Sequence, residues 1–369
     1  EDQLIQVNFN FFNLVRKDSN MDVRNQELQT IINEGRGKAT TILSEIQTEF
    51  QNREDCVVKP NKMEFSIAPS INRLDLSING QSSSLTNFAR NQILGRCSIP
   101  VTYAKKLLEV GEHNLLLENI NKMNVRNNSG GLLVRRVEEN IKGVLSPSYR
   151  RIDAAPIFES FVASCLGAGY VPYTGRVTDY RYHLCFIHPE VFQPSENEFI
   201  VFGIAITTSD YGAASLKVEQ VILRISCKNL ALGNDSFKSV HIGKRFEAGS
   251  DFVKLSNQTN ILDAKATASA VSDVVTSAQG HIGVLKDKIN HALLKEVNID
   301  QAVASIRSKG FSKSFAEGVR TMYQADLPVQ HLPKGENVWR LSNAISLLAG
   351  SQESSDTALD AQGLAMAVL

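Results

Sequence analysis

The chain has no excess of charge of either sign: Lys and Arg number 39, and Asp and Glu number 39. A uniformly basic, histone-like binder is thereby excluded, and any nucleic-acid site has to come from local segregation of charge. Long apolar runs are missing as well. The most apolar stretch, Phe199 to Ile206, has eight residues and contains Gly203, far short of the roughly 20 that span a bilayer. Residues 1–20 do not join a basic start to an apolar block, so no signal peptide is expected. Cysteine is scarce, with Cys56, Cys97, Cys165, Cys185 and Cys227 spread over 369 residues. An odd count at wide spacing fits reduced thiols in a cytosol-like compartment better than a disulfide scaffold.

Several enzyme signatures also fail. Gly35-Arg36-Gly37-Lys38-Ala39 resembles part of a phosphate loop. The first Gly would have to stand at position 32, which is Ile32, and Lys38 precedes Ala39 where Ser or Thr is needed. His183, Cys185 and His188 lie close together, but in a strand only the first two share a face, and tetrahedral zinc needs four placed donors. No Gly-x-Ser-x-Gly elbow occurs. Asp153, Glu159 and Asp179 form no recognisable nuclease or glycosidase pair. No catalytic residue, metal or cofactor is therefore assigned.

What is present reads as an α+β protein with a central, largely antiparallel β-sheet, flanking helices, and helical N- and C-terminal regions. Residues 1–58 read as a helical arm, with Leu28, Ile31, Ile32, Ala39, Ile42, Leu43, Ile46 and Phe50 at helical spacing. Gly35 and Gly37 leave open whether this is one helix or two. Residues 59–257 read as an α+β core, strand-rich over 131–245. There Leu132–Val137 and Ile141–Leu145 flank a hairpin turn at Glu138-Glu139-Asn140. Ala155–Leu166 reads as a helix closed by Gly167 and Gly169. Gly175–Ile187, Glu198–Thr207 and Leu216–Ser226 read as three further strands. Residues 258–369 read as helical, with a small, polar and mobile stretch at Ser351–Asp360.

Within the strand-rich region basic and aromatic residues interleave. Arg135, Arg136, Lys142, Arg150 and Arg151 surround Tyr149, and Arg176, Tyr180, Arg181 and Tyr182 follow. Arg224, Lys228, Lys238, Lys244 and Arg245 then fall in one window whose only acid is Asp235. Five of the eight tyrosines lie between positions 149 and 182. Single-stranded nucleic acid is held by this mixture, cations on phosphates and rings beneath bases. Alternation puts Tyr180 and Tyr182 on one strand face and Arg181 on the other, so only one set can line a given groove.

Several segments together resemble a phage- and plasmid-related family known as a domain of unknown function. The best match is Val144-Leu145-Ser146-Pro147-Ser148-Tyr149-Arg150-Arg151-Ile152-Asp153. A second runs from Gly203 through Thr208-Ser209-Asp210-Tyr211-Gly212 to Arg224-Ile225-Ser226-Cys227-Lys228-Asn229, with His241 and Gly243 beyond. Upstream, Ala89, Gln92, Ile99-Pro100 and Tyr103 are similar to a helical element of the family. Downstream, Trp339, Asn343 and Ala344 look like its Trp-x-x-x-Asn-Ala signature. The chain departs from the family at Thr208, where Asn is usual, at Leu230, where Gly is usual, and at Lys142-Gly143, where Arg-Ala is common. The resemblance implies a mobile-element protein of the bacterial cytoplasm, akin to phage single-strand annealing proteins, and transfers no catalytic residue.

Three functions follow as expectations. The first is a non-enzymatic single-stranded DNA binder that promotes annealing as a homo-oligomer. Its contacts would be Arg135, Arg136, Lys142, Tyr149, Arg150, Arg151, Arg176, Tyr180, Arg181, Tyr182, Arg224, Lys228, Lys244 and Arg245. The second is a phage structural or host-interaction module that binds protein. In that case the arginines before Asp153 are structural, pairing with Asp153 or capping the helix that follows. The third is an enzyme acting on nucleic acid, for which no acid/base or metal set is visible.

Overall fold

The computed structural model describes residues 19–68, 70, 72–128, 130–147, 149–225, 229–233, 257–329, 331–352 and 355–369. The expected α+β class is present, with largely antiparallel sheets, flanking helices and helical ends, and the strands divide between two sheets.

The first sheet has six strands, in the order β1 (Arg53–Val58), β5 (Leu132–Val137), β6 (Asn140–Leu145), β4 (Gln81–Leu85), β3 (Arg73–Ile78) and β2 (Met63–Ala68). Only β4 and β6 pair in parallel. The β3–β4 hairpin turns through Asn79 and Gly80, both at positive φ (52° and 82°), the backbone that a two-residue hairpin loop demands. Helices α2 (Asn87–Arg96), α3 (Val101–Glu109) and α4 (His113–Asn127) close over this sheet. Ile93, Leu94, Leu116 and Ile120 pack there against Leu74, Leu76, Val134 and Ile141. Thr86 starts α2 by accepting the Ala89 N–H at 3.2 Å.

The second sheet is an antiparallel meander of five strands: β7 (Val171–Val177), β8 (Tyr182–Ser195), β9 (Glu198–Thr208), β10 (Lys217–Arg224) and β11 (Asn229–Leu232). The stretch 175–187, expected as one strand, reverses at Thr178–Arg181, where Thr178 N–H donates to the Arg181 carbonyl. Helix α5 (Ala154–Gly167) and helix α6 (Asn257–Ala278) cover one face through Phe158, Phe161, Val271 and Val275. Beyond them α7 (Ile282–Leu294), α8 (Ile299–Ser308), α9 (Lys313–Gln324), α10 (Val338–Gly350) and α11 (Ser355–Ala367) build a helical body on Ile200, Phe202 and Ile222. Of the stretch Ser351–Asp360, expected to be mobile, the part from Ser355 onward is itself helix α11. Ala361, Leu364, Ala365 and Met366 anchor it in that core.

Helix α1 (Ser19–Gln51) runs unbroken through Gly35 and Gly37. Leu28, Ile31 and Ile32 join Val171, Cys185 and Ile187 on one side of the second sheet. Ala39, Ile42 and Ile46 join Leu184 and Phe186 on the other. The helix therefore crosses the edge strand β7, and Gly35 marks the crossing. A Cβ there would lie 2.2 Å from the Pro172 carbonyl oxygen. The glycine that resembled a phosphate loop is thus a close-approach residue, and α1 covers a sheet edge. Among the described residues no helix is long and apolar enough to cross a membrane.

Candidate functional site

The basic residues singled out in the sequence separate into a closed junction between the sheets, a buried clamp under the helical body, and an open cleft. The junction begins with strand register. In the β1–β5 pair Asp55 faces Arg135 and Glu54 faces Arg136. Alternation sends the first pair inward and the second outward. Arg135 is fully buried and grips Asp55 with two hydrogen bonds, Nε to Oδ1 at 2.8 Å and Nη2 to Oδ2 at 2.9 Å. Its Nη1 donates to the Asp210 carbonyl at 2.6 Å. Arg53 bridges Asp153 at 2.7 Å and Asp210 at 3.1 Å, and Arg151 reaches Asp55 at 3.6 Å. Asp153 sits at the N-cap position of α5, but the acceptor for the Ala154 N–H is Asp210 Oδ1 at 2.9 Å. The carboxylate that caps this helix comes from 56 residues further along the chain.

Burial and charge act against each other here. Burial opposes the charge on Arg135, but Asp55 and Asp210 outweigh it and hold its pKa above the ordinary value. Burial raises the Asp55 carboxyl, yet Arg135 pulls it below the usual carboxylate range. Asp210 is buried most completely, and burial pushes it up to about 6 against the pull of Arg135 and Arg53.

A second polar knot lies alongside. Glu49 Oε2, near the end of α1, accepts from Tyr182 Oη at 2.6 Å and from Tyr211 Oη at 2.7 Å, while Glu49 Oε1 pairs with Lys142. Gln92 of α2 donates to the Tyr211 carbonyl at 2.8 Å and accepts from the Val144 N–H at 2.7 Å. Tyr149 donates to the Ser209 carbonyl at 3.3 Å, and burial pushes its phenol up to about 12. Arg150 pairs with Asp263 of α6, and Arg136 with Glu54. In the clamp, Arg224 is buried and donates to Glu198 at 2.8 and 2.7 Å, while Trp339 Nε1 donates to the same carboxylate at 3.0 Å.

These contacts revise the expected binding set. Arg135, Arg224 and Tyr182 are interior residues whose hydrogen bonds hold the chain together, so they are set aside as nucleic-acid contacts. Tyr180 stacks on Phe88 at 4.6 Å and is half-buried, which leaves it a poor platform for a base. Arg150 and Arg151 do not pair with Asp153; their carboxylates are Asp263 and Asp55, and Asp153 belongs to Arg53 and Arg135. Lys228, Lys244 and Arg245 lie outside the described residues.

Arg176 and Arg181 have a different setting. They lie on the sheet face opposite Tyr182, on neighbouring rungs. Arg176 is the register partner of His183, His183 of Thr207, and Thr207 of Lys217. The row Arg176, His183, Thr207, Lys217 thus crosses four strands. His183 is buried and bonded through Nδ1 to Thr207 at 2.9 Å, and no described residue bonds its Nε2. Burial, reinforced by Arg176 and Arg181, lowers it to about 4, so it is neutral at pH 7. Arg181, Thr207, Lys217 and Glu219 floor a cleft of about 570 Å³. One wall carries Lys309 together with Phe311 and Phe315, whose rings stack at 5.0 Å. The other belongs to α11, with Asp360 and Leu364. Lys217, Glu219 and Lys309 are not among the contacts expected from the sequence. Period-two counting from Arg181 reaches none of them, because they come from other elements.

Cys185 shares the cleft-side face with His183, while His188 meets Tyr170 edge-on at 5.4 Å. Among the described residues no three His, Cys, Asp or Glu side chains converge as metal ligands, and Cys56, Cys97, Cys165 and Cys185 are free thiols. Comparison with protein families, with curated proteins and with solved structures finds no match to this chain.

Proposed function

We propose that this chain is a non-enzymatic binder of single-stranded DNA that promotes strand annealing as a homo-oligomer, serving a phage or related mobile element in the bacterial cytoplasm. The observation that carries the reading is the cationic row on the cleft-side face of the second sheet. Arg176 and Lys217 stand at the two ends of one cross-strand row, Arg181 lies on the next rung, and Lys309 rises across the cleft. Such a row neutralises successive phosphates of an extended strand, and Phe311 supplies a ring for a base. Bases held along an open face stay available to a complementary strand. The resemblance to the phage-related family supports the same reading.

The experiment is fluorescence anisotropy with labelled oligo-dT and a matching duplex at two salt concentrations. Tight binding that prefers the single strand and weakens steeply with salt is expected, through counterion release. No binding at low salt by folded protein overturns the proposal.

The internal pairing of Arg150 and Arg151 favours a second reading, a protein-binding module. Val101 and Tyr103, each 42% exposed, and Val110, 54% exposed, give it an apolar surface on and beside α3. Binding of a protein partner that is insensitive to salt, with no affinity for oligo-dT, would establish it instead.

A further inference from the structure

The most unusual group in the cleft is Glu219. It sits on the floor on β10, the strand next to the β11 edge of the five-stranded sheet, is only 8% exposed, and lines the cavity. Lys217 on its own strand and Asp360 across the cleft act on it through charge alone. No described residue donates a hydrogen bond to its carboxylate. A buried carboxylate without donors is costly, and protein interiors ordinarily supply them. Here the carboxylate faces the open cleft, so its donors come from the solvent or the ligand that enters it.

The surroundings define that ligand. Lys217 and Lys309 provide positive charge at the rim, Phe311 and Phe315 provide an aromatic wall, and Glu219 asks for N–H donors at the floor. A nucleotide carries all three complements: a phosphate, a π-face and a base edge with N–H groups. The volume, about 570 Å³, is within the range of small-ligand sites. Among the four DNA bases, guanine presents an imino and an amino N–H side by side, matching both oxygens of one carboxylate. Thymine presents a single N–H between two carbonyls, which a carboxylate repels.

We propose that the cleft holds one nucleotide of the bound strand, with guanine preferred because Glu219 accepts from its Watson–Crick edge, Lys217 and Lys309 hold its phosphate, and Phe311 stacks on its ring. The inference rests on the single-strand reading, since it assigns one position of that strand. It adds a base preference to a surface otherwise indifferent to sequence.

The test is calorimetric titration of the full chain with dGMP and with dTMP, alongside the oligo-dT assay. Binding of dGMP at least tenfold tighter than dTMP is expected. Glu219→Gln should abolish the difference, because an amide presents only one acceptor to the paired donors. Lys309→Ala should weaken both mononucleotides alike. Equal affinity for the two nucleotides, no binding of either, or an undiminished dGMP preference in Glu219→Gln overturns the inference, even where oligo-dT still binds. Loss of oligo-dT binding by the unsubstituted chain overturns the single-strand reading instead. A dGMP preference in that same preparation would still support the cleft as a nucleotide site.

Discussion

The inter-sheet junction and the cleft use the same side chains, arginine or lysine beside carboxylates, to opposite ends. In the junction every acid has a cation at contact distance, and the two sheets and α5 converge on it. In the cleft, Glu219 is as buried as many core residues and lacks a donor, while Lys309 stands in solvent. Satisfied polar groups fix one arrangement of the chain; unsatisfied ones at a cavity invite a ligand. The segments on which the sequence suggested a phage-related family sort the same way. Gln92, Tyr149, Arg150, Arg151, Asp153, Asp210 and Tyr211 belong to the junction and the contacts around it, and Trp339 to the Arg224–Glu198 clamp. Within the described residues, those segments hold the fold together.

This contrast can be broken most forcefully at Arg135. Arg135→Met strands Asp55 and the Asp210 carbonyl and should cost about 3–5 kcal/mol, read from urea denaturation. A double variant, Arg135→Met with Asp55→Leu, should recover a large part of the loss, since removing a whole buried pair is far cheaper than removing one partner. If the single variant is as stable as the parent, the junction does not organise the fold.

Next in size is a pH effect at Asp210. Its carboxyl is held near 6 when folded and titrates close to 4 when unfolded. The folded state therefore binds more protons between those values, and this group's contribution to stability falls as pH rises from about 4 to 6. Asp55 works in the opposite sense: its lowered pKa gives stability above the unfolded value that is lost as pH falls. Asp210→Asn keeps the acceptor for Ala154 and removes the titration. Its stability relative to the parent should improve by up to about 3 kcal/mol between pH 4 and pH 7. A constant difference across that range would remove Asp210 as the titrating group.

Arg150→Ala and Arg151→Ala sharpen the comparison from the partly buried side. Each should cost about 1 kcal/mol of stability or less and leave oligo-dT affinity unchanged. Weakened DNA binding in folded protein would return these residues to the nucleic-acid surface. The smallest effect belongs to the cationic face of the second sheet. Arg176→Ala, Arg181→Ala and Lys217→Ala should each lower the slope of log affinity against log salt for oligo-dT by about 0.7, with little change in melting temperature. An unchanged slope would remove that residue from the phosphate track.

Local pattern was sufficient where one element's own chemistry decides its structure. The hairpin at Glu138-Glu139-Asn140 and helix α5, closed near Gly167 with Gly169 at φ 79°, were legible this way. The Asn79-Gly80 turn is an equally local signal, though only for the β3–β4 hairpin. The junction is not legible from local pattern, because the partner of Arg135 is set by the β1–β5 register. Arg135 and Arg136 are neighbours in the chain. One is buried in the junction and the other lies near the surface beside Glu54, a difference visible only once the opposite strand is in place.

The sequence by itself determined the α+β class, the alternation that parts Arg181 from Tyr182, and the absence of a membrane-spanning apolar run. Each depends on residues within one short segment, where periodicity and turn chemistry act directly. The tertiary structure decided which cations are spent on internal carboxylates and which face the cleft. It also decided that Gly35 serves a helix crossing and that Glu219 meets Lys309 and Phe311 across a cavity. Those outcomes depend on groups far apart in the chain, brought together by packing whose geometry no local pattern contains.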